Sequence, residues 1–358
     1  MNPVLLSALA LTHVSTTSPA ENPLNDWTRL DADLAGLSRA LQDEKPGAEV
    51  TAWLKTAYRS SGDIMVNGND EGGVQLQGAR INVKGKVGAF ELKASVDGTS
   101  GGSAGNLSTK DFYARTALGG GIHLQVGNFK APFLFTAVES DEKQIFFDRS
   151  TNGALWSDRD AGLLFDGVHG PFSWLASAQN GGDVQGDEWL LVGKAAFAIT
   201  GDPIPMKQSG GYGTESPTRL QVAAGYADDG SALIGTATAT CAEFTAITGP
   251  VFGHAEMVDY DDGFVTGSVA SGSAKKVANA NVADTTPWGV TGGFMFTEQD
   301  EASVRYEDLD DPSNSTRIWV GYTRYFSSHA AKLQVNWITL DSDAGDVDEI
   351  LAGLTVSI

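Results

Sequence analysis

Residues 109–167 read TKDFYARTALGGGIHLQVGNFKAPFLFTAVESDEKQIFFDRSTNGALWSDRDAGLLFDG. Two alternating runs, 109–118 and 121–130, are separated by Gly119 and Gly120 alone, which is the spacing of a tight β-hairpin. From Ala131 to Asp158 the alternation stops. So long an irregular connection in a chain of tight turns marks a functional loop; a mobile surface loop is the competing reading.

The same two-residue period recurs along most of the chain. After Pro46 it predicts sixteen strands: 50–59, 74–86, 88–98, 109–118, 121–130, 160–168, 171–179, 188–199, 218–227, 236–247, 251–259, 287–297, 301–308, 315–326, 330–341 and 347–358. Short turns at 85–87, 119–120, 169–170, 249–250 and 327–329 follow even-numbered strands, and most longer segments follow odd-numbered ones. This asymmetry is that of an outer-membrane barrel with short periplasmic turns and long outer loops. One segment, 201–217, is long where a short turn is expected, as an insertion at the periplasmic rim or a slip in the strand count.

Several strands carry the two faces that lipid and water demand. Ile350, Ala352, Leu354, Val356 and Ile358 fall on one side of the last strand, with Leu351, Gly353, Thr355 and Ser357 on the other. Leu333, Val335 and Trp337 oppose Lys332, Gln334 and Asn336, and Trp288, Val290, Phe294 and Phe296 share a face. Trp189, Phe197, Trp288, Phe296 and Phe326 stand near strand ends, as interfacial aromatics do. The expected fold is all-β: a sixteen-stranded antiparallel transmembrane barrel over 49–358, with a short periplasmic helix before it.

Composition agrees with that class. The 358 residues include 43 Gly and 12 Pro, and no apolar run is long enough for a transmembrane helix. A mean hydropathy of −0.14 suits a barrel, because only alternate residues face lipid. The net charge of −21 argues against a nucleic-acid surface. The single Cys241 excludes an internal disulfide framework, and the five His lack zinc-site spacing, so no metal or cofactor is expected. The chain has no nucleophile elbow, phosphate-binding loop or HExxH motif, and an enzyme is not expected.

The first twenty residues, MNPVLLSALALTHVSTTSPA, resemble an export signal cleaved after Ala20, although no Lys or Arg precedes the apolar core. Within 21–48, Trp27, Leu30, Leu34, Leu37 and Leu41 form one helical stripe over 25–44, with Asn25 or Asp26 as N-cap. A stripe this short is not stable alone: it either trimerises as a coiled coil or docks on another surface.

Three blocks carry a family resemblance: VGNFKAPF at 126–133, FFDRS at 146–150 and RDAG at 159–162. With GARINVKG at 78–85 and IWVGYTRYFSSHAAKLQVNW at 318–337, the chain resembles the phosphate-selective porin O and P family. The resemblance implies a trimeric porin of the bacterial outer membrane, inserted by the barrel assembly machinery, whose third outer loop folds into the pore. It also implies basic lumenal side chains that guide anions, here Arg80, Lys84, Lys130, Arg149 and Arg159. Two features depart from the family: the acidity of the chain, and a final Ile358 where an aromatic is usual.

An inward loop would set Glu139, Asp141, Glu142, Asp148 and Asp158 against Lys143, Arg149 and Arg159, either as a field that sorts solutes or as salt bridges that fasten the loop. Acids also gather at 228–229, 259–262, 307–311 and 341–349, where the topology places the outer mouth; 341–346 departs from calcium-loop spacing. The expected function is passive diffusion of small hydrophilic solutes or ions through a water-filled channel in outer-membrane lipid. A structural barrel tethered to a periplasmic partner through its N-terminal helix is the alternative.

Overall fold

The computed structural model describes residues 48–66, 69–99, 106–181, 189–213, 217–230, 237–261, 285–311, 313–343 and 345–358. The expected export signal and the 25–44 helix lie outside these residues. Sixteen strands follow in order: β1 (Glu49–Val66), β2 (Asn69–Val87), β3 (Phe90–Thr99), β4 (Asn106–Gly119), β5 (Ile122–Lys130), β6 (Arg159–His169), β7 (Phe172–Gln179) and β8 (Leu190–Thr200). The second half comprises β9 (Arg219–Asp229), β10 (Ala237–Thr248), β11 (Val251–Asp261), β12 (Trp288–Met295), β13 (Asp300–Asp308), β14 (Thr316–Tyr325), β15 (Ala331–Asp341) and β16 (Val347–Ser357). Each pairs with its chain neighbours, and β1 closes antiparallel on β16 with Trp53 opposite Ser357, so the barrel leaves no sheet edge unpaired.

All sixteen expected strands are present, with corrections at their ends. Residues 60–73, expected as a connection, are largely paired strand, with Met65 opposite Asp70. The β2–β3 turn is Gly88–Ala89 rather than 85–87, and the next is Gly120–Gly121, with Gly119 ending β4. In both, ladder pairing runs to the last residue before a glycine pair or lone glycine at positive φ, 60° at Gly88 and 62° at Gly120. The strand count does not slip at 201–217, which joins β8 to β9 as a true insertion. Arg159, expected within the long loop, begins β6 and pairs with Lys130.

Alternation decides the faces as expected. On β15, Trp337 is 48% exposed between Asn336 at 0% and Ile338 at 5%. Val335, Ile350, Leu354, Trp288, Val290 and Phe294 are exposed apolar residues of the outer face, which in a barrel of this type meets lipid. Among the described residues no helix is long and apolar enough to cross a membrane.

The apolar core lies inside the barrel. Residues 131–158 fold into the lumen through two short helices, α1 (Phe135–Val138) and α2 (Thr151–Leu155), with a helical turn at Asp141–Lys143 between them. Phe133, Leu134, Ala137 and Trp156 pack on the inward residues Leu190, Val192, Ala227, Ala239, Cys241 and Val258 of β8–β11. Phe135, Ile145 and Phe146 pack on Ile247, Phe252, Trp319 and Ile338, and Phe147 on Ala57 and Leu351.

Three wall glycines make room for the sequence Ile145-Phe146-Phe147. A Cβ at Gly293 would stand 2.4 Å from the Ile145 side chain, one at Gly321 2.8 Å from the Phe146 ring, and one at Gly353 2.1 Å from the Phe147 ring. These strand-interior glycines mark places where another part of the chain comes close.

Two substitutions test these faces. Val320→Arg, on the outer face of β14, is expected to cost about 2–4 kcal/mol in urea unfolding from lipid vesicles. Gly353→Val is expected to lower stability by about 1–3 kcal/mol through overpacking. If the clash is with Phe147, adding Phe147→Ala recovers part of that loss; additive losses would reject the contact.

Candidate functional site

The lumenal loop is bonded to the wall by side chains that its own backbone requires. A buried irregular segment must find partners for its N–H and C=O groups, and here the inward polar residues supply them. The Phe135 N–H donates to Glu243 at 2.6 Å, and the Phe147 N–H to Asn336 at 3.0 Å. Gln334 donates to the Ile145 carbonyl at 2.9 Å and Lys332 to that of Gln144, while the Thr151 N–H donates to Glu307. Thr136 and Ser150 donate to the two oxygens of Glu256, at 2.6 and 2.7 Å.

Glu243, Glu256 and His254 form a buried acid–histidine group with candidate ligand atoms within 4.8 Å of one another. Its four carboxylate oxygens already receive Phe135 N–H, the Lys194 ammonium, Thr136 and Ser150. The group is thus an anchor for the loop. Glu307, expected at the outer acidic rim, is likewise buried, where it accepts from Thr151 and from Trp319 Nε1 at 2.8 Å.

On its other side the loop leaves a cavity of about 610 Å³ against β1–β4, β6 and β14–β16. The basic side chains lining it are Lys55, Arg59, Arg80, Lys110, Arg149, Arg159 and Arg317; the acidic ones are Asp97, Asp141, Asp148, Asp158 and Glu349. The lining therefore carries more formal positive than negative charge, within a chain whose net charge is −21.

Asp141 is the centre of this charged surface. It reaches from the loop to Arg80 on β2, 3.0 Å away, and also pairs with Arg149. Arg80 holds Asp97 through both of its carboxylate oxygens, the second at 2.8 Å. Burial alone would push the Asp141 carboxyl up, but Arg149, Lys130, Arg80 and Arg159 override it and hold the group well below the usual carboxylate range. Burial lifts Glu139 instead, against the opposing pull of Arg149.

Of the eleven expected site residues, Arg80, Asp141, Asp148, Arg149, Asp158 and Arg159 border the cavity. Lys130 lies under the loop and donates to the carbonyls of Ala137 and Glu139, at 2.7 and 3.2 Å, and so fastens it. Glu139 is buried beside Arg149, 3.9 Å away. Glu142 and Lys143 occupy the helical turn outside the cavity lining, where the Lys143 carbonyl accepts from Ser209. Lys84 sits half-buried on β2, four residues from Arg80 toward the turn.

Sequence reasoning missed Lys55, Arg59, Lys110 and Arg317. Arg59 pairs with Glu349 at 2.7 Å and with Asp148; Arg317 donates to Thr151 at 3.1 Å. The signal for them was the strand period: Trp53, Lys55, Ala57 and Arg59 alternate on β1, as do Arg317 and Trp319 on β14.

Residues 58–211 match the model of the family described as phosphate-selective porin O and P. No curated protein sequence matches the chain. Among solved structures, Salmonella typhi OmpF in complex with daunomycin aligns with a TM-score of 0.60 at 12% identity, over 87% of this chain and 97% of that one. An anion-selective porin from Comamonas acidovorans aligns at 0.57 and 10%, over 87% and 99%. The outer-membrane channel DcaP of Acinetobacter baumannii aligns at 0.56 and 14%, over 88% and 99%. The family resemblance read from the sequence is therefore matched over residues 58–211, and the closed sixteen-stranded barrel shares its fold with these solved porins.

Proposed function

We propose that the protein is an outer-membrane porin for passive diffusion of small hydrophilic solutes, and that it prefers anions. The family match and the porin fold support the diffusion channel and the bacterial outer membrane as its place; both belong to non-enzymatic channels. The anion preference rests on one observation, the basic excess of the lumenal cavity inside an acidic chain. A confined lumen weights nearby charge over distant charge, because salt screens beyond roughly 8–10 Å. The lumenal acids thus act chiefly through their Arg partners: Arg80, Arg149 and Arg159 provide the field, and Asp97 of β3, Asp111 of β4 and Asp141 of the loop orient it. On the same reading residues 1–20 direct export, 21–48 form a periplasmic helix and the barrel assembles as a homotrimer through the barrel assembly machinery.

Planar-bilayer recording tests this reading. Purified protein is expected to give stepwise conductances whose reversal potential in a salt gradient reports anion preference; a cation-selective or silent protein would overturn it. Arg80→Ala and Arg149→Ala are each expected to lower the anion-to-cation permeability ratio about two- to five-fold.

The loop's charge bridge also sets a pH dependence. The Asp141 carboxyl is depressed, so its stabilising pairing is complete above the ordinary carboxylate pKa of about 3.9 and is lost only as pH falls through the lower folded value. The Asp141 pairing should therefore persist between about pH 7 and pH 5, and Asp141→Asn is expected to leave the shape of the conductance–pH profile in that window unchanged. A pH response in that window that Asp141→Asn abolishes would contradict the assignment.

A further inference from the structure

The connection between β8 and β9 enters the lumen from the turn side, where outer-membrane barrels ordinarily have only a tight turn. Its described part, residues 201–213, runs along the inner wall from β8 to β14. Ile204 is buried, and its N–H donates to Gln221 of β9 at 2.8 Å. Met206 lies 3.4 Å from the Lys194 ammonium of β8. The Gly211 N–H donates to Glu301 of β13, whose other oxygen accepts from Tyr325 of β14 at 2.6 Å. Tyr212 stacks on Tyr325 with ring centroids 4.3 Å apart.

This path is built for close approach. Gly210 has a φ of +99°, and a Cβ there would stand 3.0 Å from Glu301. At Gly211 a Cβ would stand 2.6 Å from the Pro250 carbonyl. The segment also touches the constriction loop directly: Ser140 N–H donates to the Lys207 carbonyl at 3.1 Å, Ser209 N–H to the Lys143 carbonyl at 3.3 Å, and Ile145 N–H to the Ser209 hydroxyl at 2.9 Å. Ile204 and Met206 join the apolar cluster of Phe135, Ile145 and Phe146.

The two sides of the lumen differ accordingly. On the side the segment follows, Glu301 and Tyr325 lie beneath it at no more than 1% exposure, and the neighbouring Thr323, Lys332 and Gln334 are covered by the loop at Gln144 and Ile145. On the opposite side Asn82, Lys84, Lys93, Tyr113 and Arg115 remain only half-buried. We infer that residues 201–213 are a second constriction element, which seats the loop from below, fills the turn-side end of the lumen along β8–β14 and confines solutes to the cavity against β14–β16, β1–β4 and β6. The segment thereby sets the upper size of solute that passes. The inference rests on the porin reading and adds to it a size-determining part on the turn side.

Deletion of residues 202–213 tests it in the full-length protein reconstituted in planar bilayers. Wild-type steps establish the channel first; a silent wild type would reject the porin reading. Given wild-type conductance, the deletion is expected to raise single-channel conductance roughly two-fold or more and to admit larger neutral sugars in liposome swelling, because bore governs both. Unchanged conductance and size limit in a folded, heat-modifiable deletion barrel would overturn the inference. If the deletion fails to fold, the pair Ser140→Cys and Lys207→Cys in a Cys241→Ala background decides. Oxidation is expected to link the pair in the assembled barrel without changing the conductance. Failure to cross-link would place the segment outside the lumen and also overturn the inference.

Discussion

The interior of this barrel depends on a wedge of three side chains. Ile145, Phe146 and Phe147 enter spaces that exist because Gly293, Gly321 and Gly353 present no Cβ to the lumen. Fully burying an aromatic or branched side chain is worth about 1.5–3 kcal/mol, so the wedge supplies the drive to pull a 28-residue polar connection out of water. The drive alone would strand backbone groups. Glu243, Glu307, Gln334 and Asn336 take up those groups while Glu256 accepts from the loop hydroxyls of Thr136 and Ser150, and so inward polar residues that look solvated in the sequence are structural partners of the loop.

The charge of the molecule is thereby partitioned. Acids on β10–β13 are spent on loop backbone and hydroxyl groups. Acids nearer the cavity are held by arginines on β1, β2 and the loop, and with Lys55 and Lys110 the basic side chains of the lining outnumber its acidic ones. A formal count over the whole chain mixes outer surface, anchors and lumen, which explains how an acidic protein can enclose a basic cavity. The conflict between family resemblance and composition disappears once each charge has a location.

Much of the fold was legible because a period of two survives in many strands, β8 and β15 among them. Barrel closure, strand number, outer face and inward loop all follow from alternation plus loop length, as Trp337 between Asn336 and Ile338 illustrates. Strand ends were less legible, since pairing runs on wherever a glycine can take the turn, as at Gly88 and Gly120. The charges of the loop were visible, but their duties were not: Lys130 and Arg149 sit in adjacent blocks of sequence, yet one lies beneath the loop and the other borders the cavity. On β8, Leu190, Val192, Ala196 and Ala198 are apolar on the inward face, which reads as a fault in a water-filled barrel. Leu190 and Val192 are explained by Phe133 and Trp156, residues distant in sequence.

Those distances order the assembly of the molecule. The loop follows β5, but the glycines that receive it belong to β12, β14 and β16, and β16 must also find β1 to close the ring. During synthesis the apolar wedge therefore exists before its receptacle does. Phe147 can be sheltered only when the last strand, with Gly353 and Leu351, reaches the first, with Ala57. Ring closure and loop docking are then a single late event of high contact order, and an intermediate lacking β16 presents an unsheltered phenylalanine as its distinguishing mark.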